Sequence, residues 1–223
     1  MTMRIVCLLI GYACGLFQTS YILGKMHGID IRDHGSGNAG TTNMLRTMGT
    51  KAGLITFLGD VLKTIIAVVI CLAIFYRPEV NPEMLQLIKI YAAAGAILGH
   101  NFPFYLGFKG GKGIACTAGW IITMDPYMVL TGIIVFFGIF FITHYVSLGS
   151  ICMFIVFLIE VIVMGALGLS TFKGITTPVA IECDILTAIF CGMTIFRHRG
   201  NIVRLINHNE KKTYIFKKGE MQT

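Results

Sequence analysis

The chain has 223 residues, 55% of them hydrophobic and only 13% charged, with a formal net charge of +7 and a mean hydropathy of +0.77. A soluble domain carries about 25% charged residues, so lipid is the solvent for most of this chain and no separate soluble domain fits. The positive balance suits membrane topology and anionic headgroups, and nucleic acid is not implied.

A crossing of a ~30 Å hydrocarbon layer takes about 20 apolar residues, which leaves room for roughly six to eight crossings. Mostly apolar stretches run from Ile5 to Gly24, Ala52 to Tyr76, Leu85 to Gly99, Gly113 to Met124, Tyr127 to Val146, Leu148 to Leu169 and Val179 to Phe196. The first follows Arg4 as a secretory signal would, but no small-residue cleavage site precedes Lys25, so it is expected to be retained. The fourth, ending at Asp125-Pro126, is short enough to suit a re-entrant segment equally well. Charge distinguishes the two. If all seven cross, Lys25, Arg32, Arg46, Lys51, Lys109, Lys112, Arg197, Arg199, Arg204, Lys211, Lys212, Lys217 and Lys218 share one face, thirteen of the eighteen basic residues. The positive-inside rule makes that face cytoplasmic. The expected fold is therefore all-α, a polytopic bundle of seven transmembrane helices over residues 1–223, with the N-terminus outside and the C-terminus cytoplasmic.

The first cytoplasmic loop reads HGSGNAGTTNMLRTMGTK, from His34 to Lys51. Gly35, Gly37 and Gly40 permit turns that aim successive amides at one point, and Ser36, Asn38, Thr41, Thr42 and Asn43 add side-chain donors. Such a nest binds an anion, and Arg46 is positioned to close on phosphate oxygens. Taken alone, the stretch also fits an ordinary flexible loop. Within the second segment Asp60 and Lys63, one turn apart, are expected to pair.

The second loop, GHNFPFYLGFKGGKGIA from Gly99 to Ala115, sets Lys109 and Lys112 around Gly110, Gly111 and Gly113. It lacks the G-x-x-x-x-G-K-[ST] spacing, so ATP hydrolysis is not indicated. The third, THYVSLGS, offers Ser147 and Ser150, while Glu160 in the sixth segment has no local partner. The seventh segment ends in RHRGNIVRL, which on one continuous helix places Arg197, Asn201 and Arg204 on a shared face with His198 beside it. Seven cysteines lie scattered without a C-x-x-C pair, as small core residues. Neither a G-x-S-x-G elbow nor a His with Asp at the fifth position occurs, so a nucleophile of the usual kind has no signature here.

GSGNAGTTNMLR with Asp60-Val61-Leu62-Lys63 downstream, then GHNFPFYLGFKGGKGIA, YVSLGSI and RHRGNIVRL, in that order across nearly the whole chain, resembles the bacterial acyl-phosphate:glycerol-3-phosphate acyltransferase family of membrane enzymes. The resemblance implies seven helices with three cytoplasmic motif loops, no cofactor and no metal. It also implies transfer of a fatty acyl group from acyl phosphate to glycerol-3-phosphate at the cytoplasmic face of the bacterial inner membrane, giving lysophosphatidic acid and phosphate. Partners are then the two substrates, membrane lipid and an enzyme that forms acyl phosphate. Carried over by position, Gly35, Ser36, Gly37, Asn38, Ala39, Gly40, Asn43, Arg46, Lys109, Lys112, His198 and Asn201 bind phosphate, and Ser36, Ser147, His198 and Asn201 are the catalytic candidates. Thr41, Thr64, Cys116 and Gly200 depart from the family pattern and bear on loop packing. A transporter for a phosphorylated metabolite, or an assembly subunit, is the rival; no repeat symmetry supports the former.

Overall fold

The computed structural model describes residues 1–77 and 81–214; Lys217 and Lys218 of the basic face lie outside these. The described residues form α1 (Thr2–Gly15), α2 (Thr19–Met26), α3 (Thr41–Phe75), α4 (Pro82–Asn101), α5 (Ile114–Met124), α6 (Pro126–Thr143), α7 (Val146–Leu167), α8 (Thr177–Arg197) and α9 (Arg199–Ile206), with no strand among them. By length and composition, five spans suit a membrane crossing: Thr2–Met26 taken across its break, α3, α6, α7 and α8. The other two expected segments differ. Helix α4 has 20 residues, but Gln86, Lys89, His100 and Asn101 lower its hydropathy. Helix α5 has 11, about 16 Å at 1.5 Å per residue, half a hydrocarbon layer.

The first apolar segment is not one helix. It opens at Leu16–Gln18, where the Gln18 amide donates to the Gly15, Gly99 and His100 carbonyls and the freed Phe17 carbonyl accepts from Lys63 Nζ at 2.8 Å. Backbone groups released in this way are tolerable at membrane depth only because buried protein groups satisfy them. Helix α3 begins well before Ala52, turning at Gly49, whose φ of 84° suits glycine.

Helix α4 is the centre of the bundle, in contact with α1, α3, α5 and α8. Its closest neighbour is α1, because Gly11 and Gly15 face Gly95 and Gly99. A Cβ on any of the four would lie 2.1–2.2 Å from a carbonyl oxygen of the opposite helix. This is the small-residue packing that brings membrane helices into backbone contact. On the other side Trp120 of α5 meets Phe154, Phe157 and Phe190 edge-on, with centroids 5.0–6.4 Å apart. Leu58, Leu62, Ile66, Leu130, Ile134 and Phe141 stay exposed, as side chains facing lipid do. Away from the loops, Arg4 grips Glu182 through two bonds of 2.5 and 2.7 Å, and Glu160 accepts from Thr131 at 2.5 Å across α6 and α7.

Candidate active site

Three helix pairs, α3 with α4, α5 with α6 and α7 with α8, bring the predicted loops to one end. There they enclose a groove of about 1410 Å³ lined by Ser36, Asn38, Arg46, Lys112, Ser147, His198 and Asn201. The groove continues between helices along Leu54 and Phe57 of α3, Ile121 of α5, Phe136 and Phe140 of α6, and Met153 of α7.

The first loop is held from within. Asn43, 2% exposed, accepts from Ser36 N at 2.8 Å and donates to the Ile31 and His34 carbonyls at 3.0 and 2.9 Å. Both amide hydrogens are thereby committed, so Asn43 shapes the nest instead of adding the free donor expected of it. Gly35 and Gly37 have φ of 61° and 70°. Gly35 also sits where a Cβ would lie 2.2 Å from Asn43 Oδ1. Helix α3 starts at Thr41; the Asn43 and Met44 N–H groups donate to the Gly40 carbonyl, which leaves those of Thr41 and Thr42 without an acceptor in the helix, on residues that line the groove. Ala39 and Gly40 are buried behind this rim.

The second loop is splinted. Arg197 Nη2 donates to the Gly110 and Gly111 carbonyls at 3.1 and 2.5 Å, and its guanidinium stacks 5.0 Å from the Phe102 ring centre. The continuous helix expected through RHRGNIVRL breaks at His198, with φ −94° and ψ 4°. Arg197 holds the glycines while Asn201 and Arg204 bond Glu210, and all three line the same groove. Lys112 reaches the groove and donates to Asn201 Oδ1. Lys109 is exposed and outside the groove lining, so its place among the phosphate ligands is not supported.

Sequence reasoning missed Glu210. It is 7% exposed, and its Oε1 accepts from Ser147 Oγ at 3.0 Å and Asn201 Nδ2 at 2.7 Å while Oε2 accepts from Arg204 Nε at 2.7 Å. The signal was present, since Glu210 is the one acidic residue between Arg197 and Lys218. The segment carrying it lies against the loops: Arg46 Nη2 donates to Lys211 O and Thr213 Oγ1 at 2.8 Å, and Thr213 N donates to His144 O at 2.9 Å.

Electrostatics follow from burial. Desolvation pushes the Lys112 ammonium down to about 8, with Glu210 opposing and Arg204, Arg197 and Arg46 reinforcing the shift. Desolvation and then the Lys112 charge push His198 down to about 4. His198 is neutral at pH 7, and since its Nδ1 lies 2.8 Å from the Thr194 carbonyl, the proton sits there and Nε2 keeps its lone pair. Asp60 and Lys63 pair at 2.7 Å as expected, and Lys63 Nζ also lies 2.8 Å from His100 Nδ1. Ligand atoms of Asp60, His100 and Cys116 fall within 4.8 Å of one another. The Lys63 ammonium already bridges the first two, so the cluster has its cation.

A family model described as glycerol-3-phosphate acyltransferase matches residues 5–208. The chain is 35% identical to the glycerol-3-phosphate acyltransferase of Clostridium acetobutylicum, over 95% of this chain and 100% of that one. It is 39% identical to that of Clostridioides difficile, over 93% and 94%. Among solved structures it is similar to PlsY (YgiH), an integral membrane glycerol 3-phosphate acyltransferase. The glycerol 3-phosphate form matches at 29% identity with a TM-score of 0.79, covering 96% of this chain and 99% of that one. The lysophosphatidic acid form matches with a TM-score of 0.76.

Proposed function

Because the chain belongs to the glycerol-3-phosphate acyltransferase family, we propose that it transfers a fatty acyl group from acyl phosphate to glycerol-3-phosphate, releasing lysophosphatidic acid and phosphate. One observation carries this reading: a single groove passes without interruption from a rim of amides, Arg46 and Lys112 to a wall of aliphatic and aromatic side chains. A molecule with an anionic head and an apolar tail fits such a groove, and cations from separate loops offset the repulsion between two anionic reactants.

Acyl phosphate suits the residues present. As a mixed anhydride it carries its own leaving group, so no serine or cysteine has to form a covalent intermediate, and positioning supplies much of the rate. Ser147 is already bonded to the Glu210 carboxylate, which with Asn201 aligns it at the rim. His198 Nε2 accepts the hydrogen bond of the glycerol hydroxyl and directs the oxygen at the acyl carbon. The hydroxyl oxygen bonds that carbon, the bond to the phosphate oxygen breaks, and the departing phosphate takes the proton. The groove opens on the cytoplasmic side of a bacterial inner membrane, with seven crossings and the N-terminus outside.

The test uses purified protein in detergent given acyl phosphate and glycerol-3-phosphate. Phosphate release that requires both, with lysophosphatidic acid as product, is expected. Release with acyl phosphate alone, or transfer from an acyl thioester instead, removes the acceptor or the donor assignment respectively.

A further inference from the structure

Beneath the second loop lies a histidine that the scheme above does not use. His100 is 3% exposed and yet lines the groove. Its tautomer is set by Lys63, whose three N–H donors meet three acceptors: Asp60 Oδ1 at 2.7 Å, the Phe17 carbonyl at 2.8 Å and His100 Nδ1 at 2.8 Å. An ammonium has no lone pair, so Nδ1 is the accepting nitrogen and the ring proton is on Nε2. That nitrogen packs against Gly111, where a Cβ would lie 2.0 Å away; only glycine at that position leaves room for the ring. Among the described residues it has no acceptor, and it is not among the fully buried polar atoms, so it is free to meet a ligand. His198, with the opposite tautomer, offers a lone pair to the same groove.

We propose that His100 is a catalytic hydrogen-bond donor whose Nε2–H meets the carbonyl oxygen of the acyl donor. This rests on the acyl-transfer reading above. The position favours the carbonyl over the phosphate, because His100 meets Gly111, the chain neighbour of Lys112, on one side and Asp60, one turn of α3 from Phe57, on the other, and Lys112 and Phe57 both line the groove. The anhydride carbonyl is the one polar group at that junction. As the glycerol hydroxyl oxygen bonds the acyl carbon, the carbonyl π pair moves to its oxygen, and a preorganised donor there stabilises the charge as it develops. When the pair returns and expels phosphate, the hydroxyl proton leaves with it, and His100 neither gains nor loses a proton. The Asp60–Lys63 pair fixes the donor in place.

Two substitutions separate this from a structural role. In His100→Asn the amide oxygen still accepts from Lys63 but nothing reaches the Nε2 position; in His100→Gln an amide N–H does. Turnover should fall on the order of 10²-fold in His100→Asn with the KM for glycerol-3-phosphate within about threefold, and His100→Gln should recover at least tenfold of the loss. Equal defects in both, or a loss confined to KM, overturn the proposal. Should either variant fold poorly, infrared spectra of wild-type protein with a ¹³C-carbonyl acyl phosphonate suffice. The carbonyl band should be red-shifted relative to the analogue in detergent, and an unshifted band overturns it. Wild-type protein that turns over only thioesters removes the donor assignment above, while a shifted carbonyl band would still support His100.

Discussion

Glu210 gathers Ser147, Asn201 and Arg204 on two oxygens, with Lys112 joined through Asn201. A carboxylate accepting several bonds is hard to replace, since a neutral amide offers one oxygen and adds two donors with nowhere to go. Glu210→Gln should lower acyl transfer at least tenfold and cost about 1–3 kcal/mol of stability, seen as a lower unfolding temperature in detergent. Lys112 sets the pH response. With its pKa near 8, the ammonium loses its proton as pH rises through that value, and anion affinity goes with it. The profile of kcat/KM should descend above about pH 8, and Lys112→Arg, whose guanidinium stays charged, should move that limb upward. His198, pushed down to about 4, should contribute no limb between 5 and 7. Ser36, Arg46, Lys112, His198 and Asn201 were legible because each sits in a polar run between apolar segments. Glu210, although the one acidic residue in its basic stretch, was passed over, because the bond that ties it to the site runs to Ser147, 63 residues back in the chain.

At the scale of helices, periodicity and charge located every apolar segment, but not the breaks inside them. The opening between α1 and α2 answers to Lys63, a distant side chain that needs the Phe17 carbonyl. The break at His198 likewise depends on which groups Arg197 and Asn201 find across the groove. The pairing of α1 with α4 was written in the chain as glycines four apart, Gly11 with Gly15 and Gly95 with Gly99, and a Cβ at Gly95 would lie 2.2 Å from the Leu8 carbonyl. Gly95→Val should therefore force the helices apart, destabilising the bundle by about 1–3 kcal/mol as overpacking does, whereas Gly138→Val, with nothing within 4 Å, should be silent. Helix α6 also carries Gly132, whose missing side chain faces the groove with Ile121 and Met153 at 3.9 Å. From Phe140 to Val129 the groove follows α6 for about 16 Å at 1.5 Å per residue. An extended chain covers about 1.2 Å per bond, a third of the ~3.6 Å span of a peptide residue. Roughly thirteen carbons fit, and Gly132→Phe should shorten that reach. The ratio of kcat/KM for hexadecanoyl over decanoyl phosphate should fall at least fivefold, measured within the one protein so that differences in folding cancel.

For the molecule as a whole, the question is which end faces the cytoplasm, and here convergence constrains what length alone leaves open. Arg46 lies in the opening turns of α3, Lys112 precedes α5, Ser147 begins α7 and His198 follows α8, yet all four line one groove. Each intervening helix pair then leaves that end of the bundle and returns to it, and α5, 11 residues long, turns at Asp125 directly into α6. At its far end Asp125, 2% exposed, caps α6 through Tyr127 N at 2.8 Å and accepts from Ser170 Oγ at 2.5 Å, so the loop after α7 dips inward to meet it. Lys173 beside that loop and Lys109 beside the groove are both exposed and, if the basic end is cytoplasmic, lie on opposite sides of the membrane. The seven native cysteines are buried or half-buried and should react slowly. In intact spheroplasts a membrane-impermeant maleimide should therefore label Lys173→Cys within minutes and Lys109→Cys only after permeabilisation. The reverse pattern would turn the groove outward, away from any cytoplasmic supply of acyl phosphate. Labelling of both from one side would break the helix pairs on which the shared groove depends.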